Sequence, residues 1–307
     1  MTKSILITGA TGKQGGATLK ALLQSDGDFQ IIAVTRDPSS ASAQQLLGLS
    51  NNIKVVQGNL DNPTQLLADA QKAAGQPIWG VYSVQVAMGP NQTVEIEEKQ
   101  GKALVDAAIA ADVKHFVYSS VERGVNGATE PTNIPHFISK FNIEKHLISK
   151  SNGSDMTWTI LQPVAFLDNF GPVGSPFAAA FPTMWKMTLG EDKKLQLIAA
   201  TDIGRMAAKS FVEPEKFAGQ TIGLASDELN LKEVRTILKE KTGQDLPEAP
   251  EGMVQGILSQ NDDLQKMWIW FGIEGYAVDI SKVKKELGGV IDYKAWLEQE
   301  SGYLKQQ

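Results

Sequence analysis

The sequence predicts an α/β fold in which helices cover both faces of a doubly wound parallel sheet. Through the first half of the chain, short β-branched runs alternate with longer segments of helical periodicity. A glycine-rich turn begins at Gly9, directly after the first of these runs, where such folds place their first strand-to-helix connection. The 307 residues are 42% hydrophobic and include no cysteine, so a large core can form without disulfide bonds.

Six runs have the length and composition of buried strands and give the order of the predicted elements. They are Ser4–Thr8, Gln30–Thr35, Lys54–Gln57, Trp79–Ser83, Lys114–Ser119 and Thr157–Leu161. Between them, apolar residues at helical spacing predict crossover helices. These helices are expected at Gln14–Gln24, Pro63–Ala74 and Val94–Ala111.

The chain changes character after the sixth predicted strand. Val164–Leu189 is rich in glycine, proline and aromatic residues, which predicts loops over a cleft. Farther along, Thr221–Leu224 is expected to be a strand. The later helices are expected at Asp202–Val212, Asn230–Lys241, Ser281–Leu287 and Tyr293–Glu300.

Composition excludes several classes of function. The 29 Lys and Arg residues are outnumbered by 35 Asp and Glu residues, and no basic tract is present, which argues against direct nucleic-acid binding. The absence of cysteine excludes thiolate metal sites and thiol nucleophiles, and the three histidines lack ligand spacing, so no metal site is expected. No signal peptide and no apolar run of about 18 residues is visible, so we expect no membrane span and a cytoplasmic or nuclear location.

The turn after the first strand carries the strongest functional signal. Gly9, Gly12 and Gly15 are spaced as in the dinucleotide-binding fingerprint of a Rossmann fold. The first glycine makes the tight turn, the second lets the backbone approach a pyrophosphate, and the third lets the helix pack close to the sheet. The helix N-terminus then provides an anion site. We therefore predict a bound dinucleotide.

The end of the second strand decides which dinucleotide is preferred. Arg36 occupies the position where a guanidinium can form a forked pair with a 2′-phosphate, and Thr35 before it is neutral. NADP(H) is therefore predicted over NAD(H). Asp37 leaves two alternatives open, since it can pair with Arg36 or accept the ribose hydroxyls itself.

These motifs resemble the NmrA-like family, an atypical branch of the short-chain dehydrogenase/reductase superfamily. The resemblance rests on GATGKQGG after the first strand, TRDPSS after the second, Gln57–Asn62, Ser119–Val121, His136–Lys140, Thr159–Val164 and Thr201–Arg205. It implies an NADP-binding Rossmann domain at residues 1–163 and a smaller, mostly C-terminal α/β domain at 164–307 for a substrate or partner. Residues 201–213 are expected to return to the Rossmann domain.

The resemblance, together with the glycine pattern, also implies a set of cofactor contacts. They are Gly9, Thr11, Gly12, Lys13, Gln14 and Gly15 at the pyrophosphate turn, Arg36, Ser39 and Ser40 at the 2′-phosphate, Asp61 and Asn62 beside the adenine, Ser83, Val84 and Gln85 after the fourth strand, Lys140, and Phe166 and Asn169 near the nicotinamide.

The catalytic signature of the superfamily is incomplete. Most of its reductases use Tyr-x-x-x-Lys, in which the lysine lowers the pKa of the phenol that transfers a proton. Here the equivalent segment is His136-x-x-x-Lys140. In regulatory members of the family, which also lack the tyrosine, the fold is interpreted as a cofactor sensor. This chain is then expected to report the dinucleotide state to a protein partner such as a transcription factor, with Val164–Leu189 as the switch element.

A second interpretation stays open. In the isoflavone-reductase branch, which the chain also resembles, a helix lysine without the tyrosine serves as the acid/base group. Lys140 would take that part in an NADPH-dependent reductase, and His136 would relay protons. Lys140 can equally bind ribose hydroxyls with no catalytic role.

Overall fold

The computed structural model describes residues 2–87, 89, 91–127, 129–171 and 174–304. The chain divides into two compact units. The first comprises Met1–Val121, Ile138–Gln162 and Ile203–Ile222, and the second comprises Glu122–Phe137, Pro163–Asp202 and Gly223–Gln307. The functional assignment of two domains to cofactor and to substrate or partner stays a prediction.

Ten strands occur in the described residues. In chain order they are β1 (Lys3–Ile7), β2 (Phe29–Thr35), β3 (Ile53–Gln57), β4 (Ile78–Ser83), β5 (His115–Ser119), β6 (Thr157–Pro163), β7 (Ala165–Phe166), β8 (Leu195–Ile198), β9 (Gln220–Leu224) and β10 (Asp227–Leu229). Seven of them form one sheet in the order β3-β2-β1-β4-β5-β6-β9, and the pairings from β3 through β6 are parallel. The chain reverses its direction of winding between β1 and β4, which confirms the doubly wound fold.

Thirteen α-helices accompany the strands in the same residues. They are α1 (Lys13–Leu23), α2 (Ala41–Leu47), α3 (Pro63–Ala74), α4 (Val94–Ala110), α5 (Pro135–Ser151), α6 (Pro176–Leu189), α7 (Ala200–Val212), α8 (Pro214–Phe217), α9 (Leu231–Thr242), α10 (Glu251–Gln260), α11 (Asp262–Ile273), α12 (Ile280–Leu287) and α13 (Tyr293–Gln299). All seven predicted helices are present, and α5 carries the segment from His136 to Lys140.

Alternation along the central strands builds a core on each face of the large sheet. Leu6 of β1 belongs to a cluster of buried side chains drawn from the strands and from α3, α4 and α5. Its neighbour Ile5 faces the opposite side, beside Gly80 of β4 and Phe211 of α7. On that side α7 also lies against α1, where Gly204 is so close to Ala17 that an added Cβ would come within 2.4 Å of its backbone. Helices on both faces therefore hold β1, and the turn after it, in place.

The prediction of loops at Val164–Leu189 is wrong. The described part of this segment contains β7, a 3-10 turn at Leu167–Phe170 and the helix α6; residues 172 and 173 lie outside the described part. Pro176 occupies the first turn of α6, where a missing amide hydrogen costs nothing, so this proline begins a helix. Phe181 and Trp185 lie one turn apart and are both buried, with Phe181 5.1 Å from Phe170 between ring centroids. Phe170, Phe181 and Trp185 are therefore core residues of the second unit.

The second unit has its own small sheet, in the order β10-β8-β7. Strand β8 pairs antiparallel with β10 and parallel with β7. Across the residues that the structure describes, no helix is long and apolar enough to cross a membrane.

Candidate dinucleotide site

The glycine turn has the backbone geometry that its spacing predicts. Gly9 has a φ of 60°, in the left-handed region that favours glycine, and its carbonyl accepts a hydrogen bond from the Gly12 amide at 2.9 Å. A Cβ added to Gly15 would lie 2.3 Å from that same carbonyl oxygen. The third glycine is therefore what allows α1 to start directly against the end of β1.

The N-terminus of α1 is suited to an anion. Gly12 is the N-cap of α1 and, having no side chain, makes no side-chain hydrogen bond to the first amides of the helix. Thr11, Gly12 and Lys13 are exposed. Uncapped amides at a helix start bind phosphate groups through their N–H donors and the helix dipole.

Gln14 ties the turn to the sheet. Its Oε1 accepts a hydrogen bond from Ser119 Oγ at 2.5 Å and a longer one from Tyr82 Oη at 3.4 Å. Burial raises the pKa of the Tyr82 phenol to about 12, so this hydroxyl stays a donor. The side-chain oxygen of Gln14 is thus held by residues of strands β5 and β4.

The segment after β2 separates the two charges that the sequence places side by side. Asp37 Oδ1 accepts hydrogen bonds from the amide of Ser39 at 2.9 Å and from its hydroxyl at 2.6 Å, and these bonds lower the pKa of Asp37. Ser40 caps α2. The exposed Arg36 guanidinium has no ion pair with any described residue, so the Arg36–Asp37 pair left open by the sequence is not formed.

A cavity of about 270 Å³ opens beside Arg36. It is lined by Arg36, Gln57, Gly58, Asn59, Asn62, Gln65, Leu66 and Asp69. Of the two residues predicted to lie beside the adenine, Asn62 lines the cavity and caps α3, whereas Asp61 accepts a hydrogen bond from Gln100 of α4 at 2.8 Å. Gln65, in the first turn of α3, is a lining residue that no sequence signal indicated.

The end of β4 contributes a buried acceptor. The amide of Val84 donates to Thr8 Oγ1 at 2.8 Å, which fixes the backbone beside the glycine turn. Gln85 Nε2 donates to Ser83 Oγ at 2.8 Å, while Gln85 Oε1 is buried with no hydrogen-bond partner among the described residues. A buried amide oxygen without a donor is costly, so this atom is suited to a ligand hydroxyl or amide.

Lys140 is held by a residue that the sequence analysis did not single out. Its Nζ lies 2.7 Å from Oε1 of Glu97, a fully buried carboxylate in the first turn of α4. Ser139 Oγ donates to the other carboxylate oxygen. The sequence offered no signal for this pair, because a glutamate near a helix start is usually exposed.

His136 also has an acidic partner. Within the second unit, the carboxylate of Asp263, at the start of α11, accepts one hydrogen bond from the backbone amide of His136 and another from its Nδ1. Phe166 and Asn169 lie in the same unit, in β7 and in the 3-10 turn after it, and are half-buried. Their contact with a nicotinamide stays a prediction.

The sequence matches the NmrA-like family over residues 1–289, most of the chain. The chain belongs to the NmrA-like family. The resemblance of its motifs to this family is thereby confirmed.

Proteins similar to this chain include one named as an oxidoreductase, one named as a reductase and one named as a transcriptional regulator. FrzB, an NmrA-like family domain-containing oxidoreductase of Cladobotryum sp., is 29% identical over 266 residues, which cover 80% of this chain and 75% of FrzB. Triphenylmethane reductase of Citrobacter sp., solved in complex with NADP(H), has a TM-score of 0.72 at 19% identity, covering 96% of this chain and 99% of that one. Nmra, a negative transcriptional regulator solved in complex with NAD, has a TM-score of 0.72 at 17% identity, covering 99% and 97%. At these identities the two structures show a shared fold.

Proposed function

We propose that this NmrA-like chain binds NADP(H) in preference to NAD(H). The observation that carries the proposal is the Arg36 guanidinium, which stands without an ion pair among the described residues at the rim of the cavity after β2. A guanidinium pairs strongly with a phosphate and gains nothing comparable from a ribose hydroxyl. The presence of NADP(H) in the triphenylmethane reductase structure supports this preference, and the NAD in the Nmra structure supports the broader class.

The residues present fit such a cofactor. The backbone amides after Gly12 would hold the pyrophosphate, Arg36 the 2′-phosphate, and the unpartnered Gln85 Oε1 a hydroxyl or amide of the ligand. Lys140 would donate to ribose hydroxyls from its ammonium. When bound, the dinucleotide would supply a hydride donor or acceptor at its nicotinamide.

We propose further that the chain acts as a sensor of the dinucleotide and reports its state to a protein partner. The tyrosine of Tyr-x-x-x-Lys is replaced by His136, and each of the two candidate proton donors is held by a carboxylate. The hydrogen bond from Lys140 Nζ to the buried Glu97 carboxylate fixes the lysine side chain and leaves it fewer N–H donors for a substrate. These features favour ligand binding over acid/base catalysis.

A reductase is the second candidate, and it has one specific support. FrzB, which matches 80% of this chain, is named an oxidoreductase. The Lys140 side chain is 13% exposed, so a ligand can still reach it. In this reading the chain would transfer a hydride from NADPH to a small organic acceptor, with Lys140 as the acid/base group.

Calorimetric titration with NADP, NADPH, NAD and NADH tests the first proposal. Arg36→Ala should weaken NADP(H) binding about ten- to a hundredfold, because hydrogen bonds to charged groups contribute about 1.5–3 kcal/mol, and should leave NAD(H) binding within about twofold. Lys20→Ala, which removes an exposed cation at the far end of α1, is the matched control. Equal losses for all four dinucleotides would remove Arg36 from its proposed role.

Incubation of the NADPH complex with carbonyl and enone compounds, followed by nicotinamide absorbance, separates the two roles. Tight binding without oxidation supports the sensor. Oxidation that depends on one compound and disappears in Lys140→Met makes the chain a reductase, and absence of any dinucleotide binding contradicts both.

A further inference from the structure

A buried ion pair joins the first turn of α4 to α5. Glu97 is fully buried, and its two carboxylate oxygens are divided between two consecutive residues of α5: Oε1 accepts from Lys140 Nζ at 2.7 Å and Oε2 accepts from Ser139 Oγ. Its position in the first turn of α4 places the negative charge at the positive end of the helix dipole. The carboxylate is therefore stabilised from three directions.

The packing of the two helices fixes the distance between these groups. One turn after Glu97, Gly101 of α4 faces Ile143 of α5 so closely that an added Cβ would lie 2.4 Å from Ile143 Cδ1. On one flank, Glu98 accepts a hydrogen bond from Asn142 at 2.9 Å. Close packing at the glycine thus brings α5 near enough for the short reach between Glu97 and Lys140.

Stability alone is a weak explanation for this pair. Removing two charges from water costs several kcal/mol each, and apolar side chains of similar size often replace a buried ion pair without loss of stability. The same two helices already exchange polar contacts at their surface through Glu98 and through Asp106, which accepts from His146 at 2.8 Å. Glu97 holds the Lys140 ammonium in one position, which indicates that the ammonium has a function of its own.

Resting on the proposed binding of NADP(H), we propose that Glu97 is the positioning residue of the site: it holds the Lys140 ammonium as a fixed donor to the bound dinucleotide. An ammonium has three N–H donors, and the bond to Oε1 occupies one of them. With the rotamer fixed and the charge balanced, the remaining donors are preorganised for ligand hydroxyls, which avoids the entropy cost of ordering a free lysine at binding. Glu97 acts through Lys140 and contacts no ligand.

NMR of lysine ammonium groups tests the positioning without any cofactor. The Lys140 signal is assigned by its loss in Lys140→Arg, which keeps the charge. We expect a slowly exchanging ammonium signal in the wild type, its loss in Glu97→Gln, and its partial recovery in Glu97→Asp, which retains the carboxylate on a shorter side chain. Glu98→Gln is the matched control, because it changes the neighbouring carboxylate of α4, which bonds Asn142 and Lys102. A Lys140 signal that persists unchanged in Glu97→Gln would overturn the proposal.

Titration with NADPH then links the position to binding. Glu97→Gln should weaken NADPH by about tenfold or more, with Glu98→Gln within about twofold of the wild type, since only the first releases Lys140. Wild-type affinity in Glu97→Gln would overturn the proposal. If Glu97→Gln does not fold, Glu97→Asp decides: an intermediate affinity and signal support positioning, and unchanged values contradict it. If the wild type binds no dinucleotide, the proposed function fails, and the ammonium signal still decides the role of Glu97.

Discussion

Substitution of Gly15 by alanine tests the close approach of α1 to β1. The new Cβ would lie 2.3 Å from the carbonyl oxygen of Gly9 and 2.7 Å from that of Thr8, whereas ordinary contact begins at 3.4 Å. Both are backbone atoms of the turn and cannot rotate away as a side chain would. Either α1 must move away from the sheet or the turn must open.

The magnitude follows from two opposing effects. Overpacking in a well-packed interior costs about 1–3 kcal/mol, and contact with backbone puts Gly15→Ala at or above the upper end. Alanine in a helix interior recovers up to about 1 kcal/mol relative to glycine. A net loss of about 2 kcal/mol in the free energy of unfolding is therefore expected, together with weaker NADPH binding because the pyrophosphate turn is displaced.

Two other helical glycines calibrate the experiment. A Cβ added to the next residue, Gly16, would lie 3.3 Å from its nearest neighbouring atom, the carbonyl oxygen of Ala10. A Cβ added to Gly256 of α10 would have no neighbouring atom within 4 Å. In urea unfolding, Gly256→Ala should gain up to about 1 kcal/mol, Gly16→Ala should stay near the wild type, and Gly15→Ala should be the least stable. If Gly15→Ala unfolds at the same urea concentration as Gly256→Ala and binds NADPH normally, the reasoning from close approach is refuted.

Three further predictions concern charge. Burial, reinforced by the charge of Lys3, lowers the pKa of His115 to about 4. The free energy of unfolding of the wild type should therefore fall by about 3 kcal/mol as the pH falls from 6.5 to about 4. In urea unfolding, His115→Asn should not show this loss. Burial raises the pKa of Glu122, so its contribution to stability is present below the unfolded-state pKa and is lost as the pH rises. In thermal unfolding, Glu122→Gln should gain on the wild type as the pH rises above about 4.5, and a constant difference would contradict this. Arg36→Lys should keep part of the NADP preference that is lost in Arg36→Ala, because an ammonium pairs with a phosphate as a point charge without the bidentate geometry of a guanidinium. Calorimetric affinities equal to those of Arg36→Ala would show that charge alone does not produce the NADP preference.

The parts of the molecule that were predictable from sequence are those governed by local rules. Six strands alternate with helices, and the spacing of Gly9, Gly12 and Gly15 dictates a turn whose backbone the structure reproduces. These features depend on the spacing of hydrophobic residues and on the conformational freedom of glycine. Both are local properties that involve only a few neighbouring residues. The fold and the glycine turn follow from them.

Other features depend on contacts between distant residues. The aromatic residues of Val164–Leu189 predict loops by composition, yet Phe181 packs 5.4 Å from Trp268, between ring centroids, nearly ninety positions along the chain. Likewise, nothing local marks Glu97 as buried, because its partners Ser139 and Lys140 come from another helix. Composition describes what a segment contains, and only tertiary packing decides what it faces.

Two carboxylate contacts bear on the chemistry that remains open to this chain. Lys140 is bound to Glu97 and His136 to Asp263, so the two proton donors expected from the sequence are both held by carboxylates. A reductase built on this arrangement would work most readily with an acceptor that takes a hydride first and obtains its proton from water. Such a reaction requires no proton from Lys140 or His136. An acceptor whose reduction needs a proton in the same step would have to draw it from a group that is already hydrogen-bonded to a carboxylate. Reduction in Lys140→Arg at the wild-type rate would therefore indicate the first class of acceptor, and loss of turnover with NADPH binding intact would indicate the second.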